Sequence, residues 1–220
     1  MSGPLINHGL FVVIEGPDLA GKSEFSHRIE AALKALSLDV IWTTEPWREA
    51  PTGVAIYEHL MPGQKYPITP YGLQELFRIN RREHLRHIIH PALAEGKAVI
   101  SDRYIPSTIA YGKADGVEES DLWEMNAGFP SPDLVFFLQV GDEEARRRAA
   151  ARQDTARLSR FDADPEFQKR VRMNYWEMWQ HEADRVCRVP GNLIMLNGEE
   201  SREEISRQAG KHLLSLAAAR

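Results

Sequence analysis

Phe11-Val12-Val13-Ile14-Glu15 runs directly into Gly16-Pro17-Asp18-Leu19-Ala20-Gly21-Lys22-Ser23, an apolar strand-like run delivered into the pattern G-x-x-x-x-G-K-[ST]. Each fixed residue of that pattern has a physical task. Gly16 and Gly21 permit positive φ and close approach of the backbone to an oxyanion, so successive N–H groups can cradle nucleotide phosphates. Lys22 supplies a point charge to the β- and γ-oxygens, and Ser23 offers its hydroxyl to Mg²⁺. Residues 24–36 are helix-prone, and a helix starting here aims the positive end of its dipole at the phosphates. A glycine-rich turn that matches by accident would lack both flanking elements. The stretch therefore predicts an ATP-binding loop built from Gly16, Asp18, Leu19, Ala20, Gly21, Lys22, Ser23 and Glu24, with Lys22 as a catalytic charge.

The bulk composition narrows what can surround that loop. The chain has 220 residues, 43% of them hydrophobic, which is ample for one α/β domain over 1–220 and short for two. A net charge of −5 argues against binding to polymeric nucleic acid, which needs a basic footprint. The single cysteine, Cys187, excludes a disulfide framework and a four-thiolate zinc site and fits a reducing compartment. No basic segment leads into an apolar one at the N-terminus, and no apolar run reaches bilayer length. A cytoplasmic protein without a membrane segment is expected.

Apolar strand-like runs occur at 10–15, 39–43, 98–101, 134–140 and 193–196, with helix-compatible stretches between them. Four of the five lack clean alternation, as strands buried on both faces of a parallel sheet do. Strand–helix alternation then predicts a doubly wound five-stranded parallel sheet of the P-loop NTPase type, with flanking helices. Residues 74–95 read as one long helix ended by Gly96, with Pro91 kinking or breaking it. Met173, Tyr175, Trp176 and Trp179 form an aromatic stripe on another helix, read as core packing or a dimer seam.

Ala98-Val99-Ile100-Ser101 ends in Asp102-Arg103-Tyr104, at the sheet edge where open parallel sheets bind ligands. Asp102 is placed to hold Mg²⁺, directly or through water, and Arg103 to grip a phosphate; a plain strand-end salt bridge is the alternative. Phe77 and Arg81 lie one turn apart and share a helix face that can stack a ring and clamp a phosphate. Arg78 and Arg82 read as a solvated face or as partners of Glu75 and Glu83. Arg146, Arg147 and Arg148 read as a solvated face as well. Arg152, Arg157 and Arg160 flank a polar stretch that predicts a lid over 153–162, bringing arginines to the charge of phosphoryl transfer and excluding water.

With those residues in hand, the chain resembles the thymidylate kinase family, within the nucleoside monophosphate kinases. The resemblance covers residues 9–178 and is strongest over 74–111. It rests on Glu75-Leu76-Phe77 through Arg81, on His90-Pro91-Ala92-Leu93-Ala94-Glu95-Gly96, on Ser101-Asp102-Arg103-Tyr104, and on Ser107 through Tyr111. Pro132-Asp133-Leu134 and Glu143-Glu144 with Arg147 or Arg148 also resemble the family's fourth strand and the helix after it. The resemblance implies MgATP as donor, a deoxynucleoside monophosphate such as dTMP or a modified analogue as acceptor, and a homodimer. It implies that Phe77 stacks on the base, that Arg81 and Arg103 hold the monophosphate, and that Asp18 binds the sugar 3′-hydroxyl. Glu45, Arg48, Ser107, Thr108 and Tyr111 complete the implied acceptor site, Tyr111 beside the sugar 2′ position. Arg152 joins the ATP site, and Arg157 and Arg160 act as lid catalysts, with Ser159 and Asp162 where the family's lid carries acids.

The chain departs from the family at several positions. Leu19 stands where some members carry a catalytic arginine, and Glu24 where a small polar residue is usual. Thr44-Glu45-Pro46 lacks the arginine of T-R-E-P, for which Arg48 can substitute. Ile109 and Gly112 replace the two glutamines of S-x-Q-A-Y-Q, in the pocket that reads the base. Two other readings stay open. A deoxynucleoside kinase would need Glu45 as general base for a 5′-hydroxyl, whereas a monophosphate acceptor needs cations to hold two anions together. A nucleotide-binding paralogue without transfer activity would have lost Lys22, Asp102 or the lid arginines, and all are present.

Overall fold

All six residues of β1 (Leu10–Glu15) are buried, which a strand achieves only when both faces of its sheet are covered. The computed structural model describes residues 9–63, 67–151, 159–183 and 192–218, and in it β1 lies between β3 (Ala98–Asp102) and β4 (Leu134–Gln139). The edges are β2 (Val40–Thr44) and β5 (Asn192–Asn197). The order β2-β3-β1-β4-β5 is parallel throughout, as the apolar runs predict. Burial is continuous in β1 and β3 and, up to Leu138, in β4, whereas β2 and β5 have a neighbour on one side only and keep partly exposed residues.

Strand alternation divides the core into two layers. Leu10, Val12 and Ile14 face α1 (Lys22–Ala35), α7 (Asp142–Ala151) and α9 (Arg202–Ala218). Phe11 and Val13 face the other layer, built from α2 (Pro51–Leu60), α3 (Pro70–His84), α4 (His90–Ala94), α5 (Ile105–Ala114), α6 (Glu119–Met125) and α8 (Pro165–Ala183). The helix that follows β1 and the helix that follows β3 thus cover opposite faces of two neighbouring strands. That divergence opens a crevice at their carboxyl ends.

The helix expected over 74–95 starts earlier and does not break at proline. Pro70 occupies its first turn, and the Thr69 hydroxyl accepts the Gly72 N–H at 3.1 Å. Leu85–Ile89 is a π-turn in which the His90 N–H donates to the Leu85 carbonyl. Pro91 has no N–H to give, and the extra residue in this turn lets the helical path run on into α4. The aromatic stripe splits in two. Tyr175 and Trp179, one turn apart, pack on Phe137 in the core, while Met173 and Trp176 are exposed.

Candidate functional site

Residues 16–23 wrap the carboxyl end of β1 in a conformation that needs its glycines. Gly16 has φ +143°, and a Cβ there would lie 2.5 Å from the Leu138 carbonyl oxygen. Gly21 has φ +92° and caps α1, whose first residue is Lys22. Leu19 adopts φ 68° without being glycine, as does Arg103 with φ 76° on the facing loop, so strained backbone brackets the site from both strands. The Lys22 ammonium donates to the Gly16 and Pro17 carbonyls at 3.0 and 2.9 Å. Burial and the nearby Arg103 push its pKa down to about 8, against the carboxylates of Asp18, Asp102 and Glu15.

The register Ile14↔Asp102↔Thr44 sets the ends of three strands level. A cleft of about 860 Å³ opens there, lined at one end by Lys22, Ser23 and Asp102 and at the other by Phe77, Arg81 and Thr108. Asp102 is buried, and its Oδ1 has no hydrogen-bond partner among the described residues. Asp102 and the exposed Ser23 line the same cleft, and a carboxylate beside a serine hydroxyl is a hard-oxygen donor set that fits Mg²⁺. The described residues contain no cluster of three acidic, histidine or cysteine side chains around one point. That suits an ion that takes its other ligands from phosphates and water.

Between the two ends lies a knot of polar side chains. Arg103 pairs with Asp18 and donates to the Ser107 hydroxyl at 3.0 Å and the Tyr111 hydroxyl at 3.1 Å. Tyr111 donates to Asp18 at 2.7 Å, and Gln168 from α8 donates to the same carboxylate at 3.0 Å. Burial disfavours the Asp18 anion, but Arg103 and Lys22 outweigh it and hold the carboxyl well below the usual range. Beneath the knot, fully buried Glu15 accepts from the Tyr104 and Ser107 N–H groups, the Ser107 hydroxyl and the Tyr175 hydroxyl at 2.7–3.2 Å. Its burial nevertheless pushes its pKa up.

At the far end the Arg81 guanidinium is 1% exposed, and each of its three nitrogens has a partner. Its Nε donates to Glu45 at 2.8 Å, and the remaining nitrogens reach Glu45, Asn126 and, at 2.9 Å, Thr108. Burial works against the Glu45 anion, yet Arg81 and His84 prevail and lower its pKa. Arg48 borders the same cleft and is exposed, its guanidinium 4.5 Å above the Tyr57 ring. Among the described residues it forms no ion pair. Asn80 fixes the turn that carries it, accepting the Trp47 N–H at 2.7 Å and donating to the Trp47 carbonyl at 2.9 Å.

Two arginines sit differently from the sequence reading. Arg146 and Arg147 are exposed as expected, but Arg148 lies against the phosphate loop, donating to the Leu19 carbonyl at 2.9 Å and the Gly198 carbonyl at 2.7 Å. A register on α7 that faces both loops sends Arg148 inward. Arg160 pairs with Asp115 at 2.9 Å, and the cleft is lined by its neighbours Ser159, Phe161 and Asp162 instead. Arg152 and Arg157, with Cys187, lie outside the described residues. Sequence reasoning also passed over Glu15, Asn126, Gln168 and Tyr175 as site residues. Glu15 carried a signal, an acid ending a wholly apolar strand; the others arrive from distant helices without local spacing.

The family profile described as Thymidylate kinase matches residues 14–205. Among similar proteins, a probable thymidylate kinase of Pyrococcus abyssi is 34% identical over 213 residues, covering 94% of this chain and 99% of its own. A thymidylate kinase of Cereibacter sphaeroides is 32% identical over 208 residues, 91% of this chain and 92% of its own. One from Desulfotalea psychrophila is 38% identical over 142 residues, 64% and 69% of the two chains. A glycine loop on β1, an aspartate ending β3 and a ring-bearing helix across one cleft agree with those likenesses, and the chain belongs to the thymidylate kinase family of nucleoside monophosphate kinases.

Proposed function

We propose that this chain transfers the γ-phosphoryl group of ATP to the 5′-phosphate of a deoxypyrimidine nucleotide, dTMP or a modified dTMP analogue. The observation that carries the reading is that one cleft is lined both by the glycine loop with Lys22 and by Phe77 beside the Glu45-paired Arg81. Lys22 and the backbone N–H groups between Asp18 and Ser23 bind the donor phosphates, and the lysine charge follows the negative charge as it moves toward the leaving oxygen. Ser23 and Asp102 would hold Mg²⁺. When bound, that ion neutralises the β- and γ-oxygens and orients them.

On the acceptor side, Phe77 stacks on the base, with Thr108 and Arg81 along its edge. Glu45 already neutralises Arg81, so we assign the acceptor phosphate first to Arg48, which forms no ion pair among the described residues, and second to Arg103, whose partner Asp18 is shared with Tyr111 and Gln168. Ser107 holds Arg103 in place, and Tyr111 bears on the sugar together with Asp18. Phosphate-to-phosphate transfer needs cations to bring two anions together and no base. A nucleoside acceptor would need Glu45 as base, and a carboxyl whose pKa is lowered by Arg81 is poorly suited to that task. The family resemblance adds a homodimer, which sedimentation would test, and the low cysteine content a cytoplasmic setting. No described helix is long and apolar enough to cross a membrane.

The test is an acceptor screen with purified protein at fixed MgATP: thymidine, dTMP, dUMP, dCMP, dGMP, the ribose counterpart of dTMP and 5-substituted pyrimidine monophosphates. dTMP or a 5-substituted relative is expected to lead. Thymidine outranking dTMP would overturn the proposal in favour of a nucleoside kinase.

A further inference from the structure

Gln74 lies one helical turn before Phe77 on α3, on the face that lines the cleft. Its side chain is 1% exposed, and neither Nε2 nor Oε1 has a hydrogen-bond partner among the described residues. A buried carboxamide with both poles unsatisfied is costly unless something else completes it. No other glutamine or asparagine of the site is left free in this way. Asn126 is spent on Arg81 and the Leu122 carbonyl, and Gln168 on Asp18 and the Phe161 carbonyl.

The opposing helix makes room for it. Gly112 of α5 offers no side chain, and a Cβ there would lie 3.2 Å from Gln74 Cδ. Ile109 of the same helix is 1% exposed and belongs to the core, so α5 brings no amide to this end of the cleft. Arg81 can only donate, and its partners are already assigned. A pyrimidine with an N3–H next to a carbonyl oxygen presents a donor beside an acceptor. A carboxamide is the complement of that pair in one plane.

We propose that Gln74 reads the acceptor base, its Oε1 accepting the N3–H and its Nε2 donating to the adjacent carbonyl oxygen. The specificity-determining amide thus comes from α3 in place of α5, for a base of the 4-oxo-pyrimidine class. This rests on the acceptor reading above.

The probe is dTMP methylated at N3, which removes the donor and blocks the oxygen facing it. Wild-type protein should reject it by at least about 10²-fold in kcat/KM relative to dTMP. Gln74→Leu, of similar volume, should lower kcat/KM for dTMP by about 10- to 100-fold with the KM for MgATP unchanged. Gln74→Ala, which opens space opposite N3, should bring the two acceptors to within about 10-fold of each other. Thermal melting of each variant reports whether it is folded. If the ratio between the two acceptors is the same in wild type and both variants, the assignment is overturned while the kinase reading stands. A wild-type protein that phosphorylates dTMP poorly but thymidine well removes the kinase reading and this inference with it.

Discussion

Lys22 carries two pH dependences of opposite sign. Burial and Arg103 hold its pKa at about 8, below the ordinary 10.5. Nucleotide phosphates bind the charged form, so MgATP affinity is expected to be level below pH 8 and to weaken by up to about tenfold per unit above it. The unfolded chain keeps that proton to about 10.5, so between pH 8 and 10.5 it binds more protons than the native state. This group's contribution to stability therefore rises with pH across the same window. Calorimetric titration with a non-hydrolysable MgATP analogue from pH 7 to 9.5 checks the first, and an affinity flat through pH 9 would refute it. Arg81 and Glu45 make a second case. Glu45→Gln leaves a guanidinium buried without its anion and should cost about 3–5 kcal/mol by urea denaturation. Arg48→Ala, at an exposed cation, should leave stability within about 0.5 kcal/mol and raise the KM for dTMP about tenfold or more. An unchanged KM would return the phosphate to Arg81, as the spacing of Phe77 and Arg81 first implied.

Among the elements, α5 shows how packing overrides propensity. Gly112 sits within a helix, where alanine is normally better by about 1 kcal/mol. A Cβ at 112 would come within 2.6 Å of Leu122 Cδ2, itself fully buried, and would crowd Gln74. Gly112→Ala is therefore expected to destabilise by about 1–3 kcal/mol, as overpacking does, and to disturb acceptor use more than MgATP binding. A stabilised protein would show that Leu122 yields freely. The central strands were legible because β1, β3 and β4 are apolar on both faces, and their bounds in the structure match the reading within a residue. The π-turn was not, since nothing in Leu85-Arg86-His87-Ile88-Ile89 marks it except the proline two residues on.

Across the molecule, the polar knot ties helices far apart in the chain to the phosphate loop. Tyr175 of α8 bonds Glu15 of β1 at 2.9 Å and Ser107 of α5 at 2.8 Å, and its ring packs on Phe137 of β4. Tyr175→Phe keeps the packing and removes one donor from a buried carboxyl. It should cost about 1–3 kcal/mol of stability and lower kcat, because Arg103 and Ser107 lose a shared partner. Denaturation with parallel kinetics would check both, and a stable variant with reduced kcat would assign Tyr175 to positioning alone.

The glycine loop, the parallel sheet and the acid at the end of β3 were readable in the chain because each rests on local spacing: two glycines and a lysine, five apolar runs, one Asp-Arg pair after a strand. Family membership followed from the same residues. The partners of those residues were decided by folding. Glu45 neutralises Arg81 across 36 positions, Gln168 reaches Asp18 across 150, and Arg148 turns from an apparent surface run onto Leu19. No periodicity encodes such pairs, because they depend on which helix faces the chain lays against which strand ends. Whether an arginine is a free charge or half of a buried pair is settled by that packing.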